Sequence, residues 1–259
     1  MFTKILYINL DRRQDRNKNV LEQLKKISYT GNIERISAVD ATKLNFNIIP
    51  KTLITDEGLT TAISKDTPLY TYLTKGAIGC ALSHKIAFEK VLYGNDEYVL
   101  ILEDDMWFTD DFNNKLTKVL ANLPDSKYDI LWLGYHSKKN EQIISESFQV
   151  PNKLYGLFGY IINKKAASKM IDLYPITWQI DTEIPKTFPE LKVYAVNEKN
   201  RLILSDTSQT SVTFGTDIQR RDMFSNTDNQ MCFAKSISFN KLLAAVFAIW
   251  IIYYLCNNK

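Results

Sequence analysis

The sequence predicts an α/β fold on a mostly parallel mixed sheet, and three observations lead there. Segments of strand and helix character alternate along the first two hundred or so residues. The opening stretch reads strand, helix, strand, the βαβ unit of a parallel sheet. A buried-looking apolar run, Tyr98 to Leu102, ends abruptly in Glu103, Asp104 and Asp105. An unbroken β-prone run suits a central parallel strand covered on both faces, and ligands in open α/β sheets bind at the carboxyl ends of such strands.

Taken in order, Ile5 to Leu10 is the first strand, and Val20, Leu21, Leu24 and Ile27 then recur at helical spacing before a second strand at Ile33 to Val39. Lys43 to Thr74, with Pro50, Gly58 and Pro68, reads as an irregular excursion. Gly79 to Leu92 is helical and leads through Gly94, Asn95 and Asp96 into the acid-bearing strand. There follow a helix at Asp111 to Asn122, strands at Ile130 to Leu133 and Leu154 to Asn163, a helix at Lys164 to Leu173, and a strand at Lys192 to Val196.

A chain of 259 residues, 45% hydrophobic and 24% charged, has the composition of a globular protein. Its net charge of +3 is too mild and too well mixed with acids to indicate nucleic acid as a partner. Cys80, Cys232 and Cys256 are odd in number and lack the paired spacing that binds zinc, so a reducing compartment is expected for the main domain. The N-terminal stretch runs straight into Asp11, Arg12 and Arg13 and carries no export signal. At the other end, Leu242 to Cys256 holds no charge, with Trp250, Tyr253 and Tyr254 near its outer end and lysines flanking it. That pattern is expected to form a hydrophobic C-terminal helix, either a membrane anchor or a buried terminal helix; it falls short of the roughly twenty residues that span a bilayer comfortably.

Three adjacent acids repel one another, and a divalent cation neutralises them well. Glu103, Asp104 and Asp105 are therefore candidates for holding a metal and a phosphate-bearing ligand, the alternative being a solvated acidic turn. His84 shares a helix face with Cys80, Ala81, Phe88 and Val91 and points at the sheet, as a core residue or a ligand. Ser83 and His84 together are candidates for the rim of the same pocket.

YINLDRRQDR (Tyr7 to Arg16), KGAIGCALSHKIAFEKVL (Lys75 to Leu92) and VLILEDD (Val99 to Asp105) resemble three signature blocks of glycosyltransferase family 25. Later segments agree in order: GLFGYIINKKAASKMI (Gly156 to Ile171), QIDTE (Gln179 to Glu183) and SQTSVTFGTDIQ (Ser208 to Gln219). The resemblance implies a GT-A-like (Rossmann-like) nucleotide-sugar-binding domain over residues 1–221; it does not account for the tail, where composition alone suggests a polar linker at 222–238 and a possible membrane anchor at 239–257. It implies transfer of a hexose, galactose or glucose, from a nucleoside diphosphate donor such as a UDP-hexose to an acceptor hydroxyl on a glycan, lipid-linked saccharide or protein.

On that resemblance Glu103, Asp104 and Asp105 stand at the family's acidic motif. Asp105, with Asp104, is expected to hold Mn2+ or Mg2+ against the diphosphate, and Glu103 or Asp104 to bind sugar or ribose hydroxyls. Guanidinium groups match phosphates bidentately, so Arg12, Arg13 and Arg16 are candidates for the diphosphate, the alternative being arginines paired with Asp11 and Asp15; Asn9 adds a hydrogen bond at the strand end. Asp181 is the preferred general base for an inverting transfer, with Glu183 beside it. A retaining route stays open. Asp217 is a weaker site candidate. The resemblance to GT-A enzymes implies a late histidine as a further metal ligand, but His84 and His136 both come early, so water, Asp217 or no further protein ligand must serve. Two other functions remain in play: a catalytically silent, membrane-tethered nucleotide-sugar-binding module, and a metal-dependent phosphohydrolase. The expected location is a membrane face with the catalytic domain in the cytosol, a lumenal orientation being left open.

Overall fold

The computed structural model describes residues 2–64, 72–125, 127–136, 142–145, 147–152, 154–205 and 217–218, all within one unit of residues 1–223. The expected linker at 222–238 and the apolar segment at 239–257 lie outside the described residues. Among the described residues no helix is long and apolar enough to cross a membrane.

The chain opens with β1 (Lys4–Asn9), α1 (Gln14–Lys26) and β2 (Asn32–Ser37), as the βαβ pattern predicts. Val20 and Leu24 bury one stripe of α1, and Lys25 and Lys26 in its last turn suit the negative end of the helix dipole. The 43–74 excursion is more ordered than expected: it holds a short helix, α2 (Asp56–Ile63), whose N-cap Thr55 accepts a hydrogen bond from the Gly58 amide at 3.0 Å. Residues 65–71 lie outside the description. The next helix, α3 (Lys75–Tyr93), starts four residues before the predicted Gly79, because the Thr74 hydroxyl caps it by accepting from the Ala77 amide at 3.0 Å.

Then come β3 (Val99–Glu103), β4 (Met106–Phe108), α4 (Phe112–Ala121), β5 (Ile130–His136), β6 (Gln142–Ile143), β7 (Phe148–Val150), β8 (Tyr155–Ile162), α5 (Lys164–Ile171), α6 (Ile180–Glu183), β9 (Val193–Val196) and β10 (Ile203–Ser205). Eight strands form one sheet in the order β2-β1-β3-β8-β5-β9-β7-β6, while β4 and β10 form a separate antiparallel ribbon. Pairings β1–β2, β1–β3 and β5–β9 are parallel.

The expectation of a central strand with parallel neighbours holds on one side of β3 only. Its other neighbour, β8, runs antiparallel to both β3 and β5. A buried strand reads as an apolar run whatever its neighbours' direction, so the sequence pattern does not separate the two cases.

The β4–β10 ribbon lies across the sheet because glycines let it approach. A Cβ at Gly134 on β5 would come within 2.5 Å of the Ile203 carbonyl oxygen, and one at Gly159 on β8 would meet the Ile203 side chain. The Leu202 amide donates to Leu133 O at 2.9 Å, and Arg201 Nη1 donates to Tyr135 O at 2.6 Å. From the other side α1 grips β4: Asn19 Nδ2 donates to Met106 O at 3.0 Å, and the Phe108 amide donates to Gln23 Oε1 at 3.0 Å. The turn between β3 and β4, which carries the acids, is thereby fixed at both ends.

Opposite the acidic turn, Asp129 ties the starts of β5, α5 and β9. Its carboxylate accepts from the Lys192 amide, Asn163 Nδ2 and Lys165 Nζ, each at 2.9 Å. Burial raises its pKa, but these three donors outweigh burial and hold it below the ordinary 3.8. Asp129→Ala should cost roughly 1–3 kcal/mol in denaturant unfolding at neutral pH, since it removes three hydrogen bonds to a mostly buried, charged acceptor. A depressed folded pKa stabilises above the unfolded value and is lost as pH falls through the folded one. The difference between wild type and variant should therefore be full near neutrality and shrink below about pH 4; a gap independent of pH would contradict this role.

Candidate functional site

Strand geometry sorts the adjacent acids, because successive side chains leave a strand on opposite sides. Asp104 turns towards α1 and Glu103 towards α3. The Asp104 carboxylate accepts from Arg16 Nη1 at 2.7 Å and from Asn9 Nδ2 at 2.8 Å, one bond to each oxygen. Burial pushes its pKa above the ordinary value, against the pull of Arg16 and Asn9. Asp104, expected to hold metal or sugar, is engaged here by the chain's own cation Arg16 and by Asn9. Side-chain exposure separates the three, at 8% for Asp104, 20% for Glu103 and 23% for Asp105. Glu103 and Asp105 are the acids open to a ligand.

Asn9, expected to touch the donor, is instead a strut: beyond Asp104, its Nδ2 donates to Arg13 O at 3.1 Å and its Oδ1 accepts from Arg35 Nε at 2.9 Å. Arg35, which the sequence did not single out, also pairs with Asp11 at 2.6 Å. The remaining arginines gather on Asp217, which Arg13 Nη1 meets at 2.5 Å, Arg12 Nη1 at 3.4 Å and Arg16 Nη1 at 4.0 Å. Arg12 also contacts Asp40, and Arg13 also pairs with Asp15. Asp217 is seated by α3, where the Thr74 hydroxyl donates to Ile218 O at 2.5 Å and Gly76 leaves room for the Asp217 carbonyl. A cluster of guanidinium groups thus borders the acidic turn, already gathered on one carboxylate.

On the α3 side, His84 is fully buried. Its Nδ1 lies 2.9 Å from Tyr160 Oη and its Nε2 lies 3.1 Å from Glu103 Oε1. Cys80, one turn earlier on the same face, directs its thiol at the same Glu103 oxygen at 3.8 Å. Burial, then Glu103, Asp181 and Asp105, push the thiol pKa well up. Ser83 does not join this group. About 100° around the helix from His84, it accepts from the Val39 amide at 2.8 Å and donates to Gly79 O at 2.6 Å, locking α3 onto the loop after β2.

Asp181 and Glu183, adjacent in sequence, have separate roles. Asp181 reaches the cluster: its Oδ2 accepts from the Gly156 amide at 3.2 Å, and burial raises its pKa, with Glu103 pushing the same way and His84 opposing. Gly156 has φ +83°, and a Cβ there would lie 2.8 Å from His136 Cδ2, so glycine is needed to bring β8, His136 and Asp181 together. Glu183 is almost fully buried and accepts from the Thr177 and Trp178 amides at 3.2 and 2.9 Å while pairing with Lys186. It shapes the loop before α6 and does not face the cluster, so its expected catalytic part is replaced by a structural one. Tyr160, His136 and Gly156 were missed as site residues, and only the i, i+4 spacing of Cys80 and His84 gave a readable signal.

The family description "Glycosyltransferase family 25 (LPS biosynthesis protein)" matches residues 2–184. Human procollagen galactosyltransferase 2 is 31% identical over 183 residues, covering 67% of this chain and 28% of its own length. A glycosyltransferase 25 family member of Aedes aegypti is 26% identical over 250 residues, covering 92% of this chain and 40% of its own. The human inactive glycosyltransferase 25 family member 3 is 28% identical over 183 residues, covering 68% and 29%. This chain therefore spans between about a quarter and two fifths of the length of these curated relatives. Among solved structures, a glycosyltransferase involved in glycosylation of the PBCV-1 major capsid gives a TM-score of 0.39 at 13% identity, covering 78% of this chain and 91% of that one. A Drosophila galactosyltransferase 7 variant, solved with manganese, UDP-Gal and xylobiose, gives 0.37 at 12% identity, covering 91% and 78%. With the family pattern matched over most of its length, the chain belongs to glycosyltransferase family 25.

Proposed function

We propose that this chain transfers a hexose, galactose or glucose, from a nucleoside diphosphate sugar to an acceptor hydroxyl on a glycan, lipid-linked saccharide or protein, with inversion. One observation carries the reading: at the carboxyl end of β3, Glu103 meets His84 at 3.1 Å on one side while Asp104 holds Arg16 at 2.7 Å on the other, beside Arg12 and Arg13 gathered on Asp217, a cluster suited to an anion. Asp181, held by the Gly156 amide, and Asp105 both add to the negative charge that raises the Cys80 thiol pKa.

Within that arrangement Asp181 takes the proton of the attacking hydroxyl. Burial keeps its pKa above the ordinary carboxylate range, which makes it a stronger base once ionised. Its orientation is set by the Gly156 amide. Arg12 and Arg13 hold the donor's phosphates, and Glu103 hydrogen-bonds sugar hydroxyls. Asp105, an oxygen donor with exposed area, fits Mn2+ or Mg2+, hard ions that take their other ligands from phosphate and water. Such an ion supplies charge stabilisation at the leaving diphosphate.

Asp181→Asn should lower turnover by roughly 10²–10⁴-fold, the usual contribution of a general base, without changing donor affinity. Asp105→Asn should lower turnover by about 10²–10³-fold and also abolish the metal-dependent rise in melting temperature that a bound donor produces. Assays of UDP release and sugar transfer with thermal-shift measurements on the same samples check both, and wild-type turnover in either variant sinks its assignment. Donor binding without turnover in the wild type would select the silent binding module, consistent with a relative described as inactive. Inorganic phosphate release alone would select a phosphohydrolase.

We also propose attachment to a membrane through the charge-free stretch 242–256, with the catalytic unit on the cytosolic face. Full-length chain should stay with membranes after alkaline carbonate washing, and chain truncated after Gln219 should be released. Equal release of both would remove the anchor.

A further inference from the structure

Cys80, His84 and Glu103 offer three different ligand atoms that all lie within 4.8 Å of one another. Glu103 Oε1 stands 3.1 Å from His84 Nε2 and 3.8 Å from Cys80 Sγ. Zinc bonds of about 2.3 Å to thiolate and about 2.0–2.1 Å to imidazole or carboxylate give a tetrahedron with edges of roughly 3.3–3.5 Å. The two separations from Glu103 bracket that edge, and the Cys80–His84 separation is no more than 4.8 Å, so small side-chain shifts would complete one face.

The surroundings also suit a metal-binding imidazole. Metal-bound histidine almost always donates its other ring N–H to an oxygen that fixes its tautomer. Tyr160 Oη lies 2.9 Å from Nδ1, on a ring stacked against His84 and packed on Trp132. The Cys80–His84 pair sits one turn apart on a single rigid helix, so the chelate bite is set by helix geometry and not by a loop. Cys80 keeps partial exposure, which leaves an entry path. Asp181 adds negative charge that acts on both Cys80 and Glu103, which favours a cation there.

We infer that Cys80, His84 and Glu103 form a zinc-type site with an open fourth position, distinct in ligand chemistry from the oxygen-only site of Asp105. Thiolate and imidazole select zinc or cobalt over magnesium and manganese. Binding expels the Cys80 thiol proton to solvent and leaves His84 with its single proton on Nδ1, donated to Tyr160 Oη. The inference shares Glu103 with the donor-site reading, its Oε1 serving the metal and its Oε2 left for sugar hydroxyls, and it is tested apart from that reading because its readout is metal binding, without turnover.

The test is cobalt titration of the reduced, metal-free full-length chain. One Co2+ per chain should bind with a near-ultraviolet thiolate charge-transfer band and strong tetrahedral visible bands, both removed by Zn2+ and resistant to excess Mg2+ or Mn2+. Cys80→Ser should lose the charge-transfer band, although Cys232 and Cys256 remain. Tyr160→Phe should keep the band and weaken zinc by roughly 10–100-fold. Should Cys80→Ser fail to fold, alkylation of Cys80 in the wild type reads the same contact: Zn2+ should protect it and Mg2+ should not. Absence of a thiolate band, its survival in Cys80→Ser, or alkylation of Cys80 unaffected by Zn2+ would overturn the site.

Discussion

The buried contact of Asp104 with Arg16 and Asn9 is the constraint on which the site depends. It joins the end of β1, the first turn of α1 and the turn after β3, segments up to 95 residues apart. Enclosing two charges is costly, and the pair persists because both Asp104 oxygens accept good hydrogen bonds. Removing one partner would leave an uncompensated buried charge, which typically costs about 3–5 kcal/mol. With Asp104 fixed, strand alternation directs Glu103 to the opposite side, where Cys80 and His84 receive it. Three adjacent acids that look equivalent in sequence become a structural anchor flanked by two available ligands.

This modifies the electrostatic expectation for the triplet. Mutual repulsion among Glu103, Asp104 and Asp105 requires positive charge, and the chain supplies part of it from Arg16, which lies 2.7 Å from Asp104 and 3.9 Å from Asp105. The divalent ion proposed above would then have less repulsion to relieve than the sequence suggested, and Asp105, the most exposed of the three, is the residue that would hold it. The same logic divides the second motif, where Glu183 is consumed by the amides of its own loop while Asp181, two residues away, stays with the cluster.

Much of the fold was legible because its strands and longer helices carry clean periodicity: β1, β2, β3, α4, β8 and α5 fall within a few residues of their predicted limits. The antiparallel direction of β8 was not legible, since burial on both faces erases the difference between parallel and antiparallel neighbours. Short elements such as α6 and β10 were missed for a different reason. Four and three residues hold too little periodicity to register, and tertiary contacts fix them: Glu183 shapes the loop before α6, and glycines on β5 and β8 seat β10. For the candidate site, residue type picked out Glu103, Asp105, Asp181 and the arginines, but could not tell that Ser83 faces away from His84 or Glu183 away from Asp181. That distinction rests on side-chain direction, which helix phase gives for Ser83 and His84 and which no local pattern gives for Glu183.

Assembly of the arginine cluster links folding to function. The matched family pattern ends at residue 184, yet the carboxylate on which Arg12 and Arg13 converge belongs to Asp217, 205 and 204 residues further along the chain. Asp217 is in turn located by Thr74 and Gly76 at the start of α3, the helix that carries Cys80 and His84. Loop closure over such separations is entropically costly and is repaid only when the intervening sheet has formed. The guanidinium groups therefore acquire their shared arrangement late, with the whole unit in place. In the proposed donor site a phosphate would meet guanidinium groups already gathered by the Asp217 carboxylate and would share or displace that carboxylate in binding them.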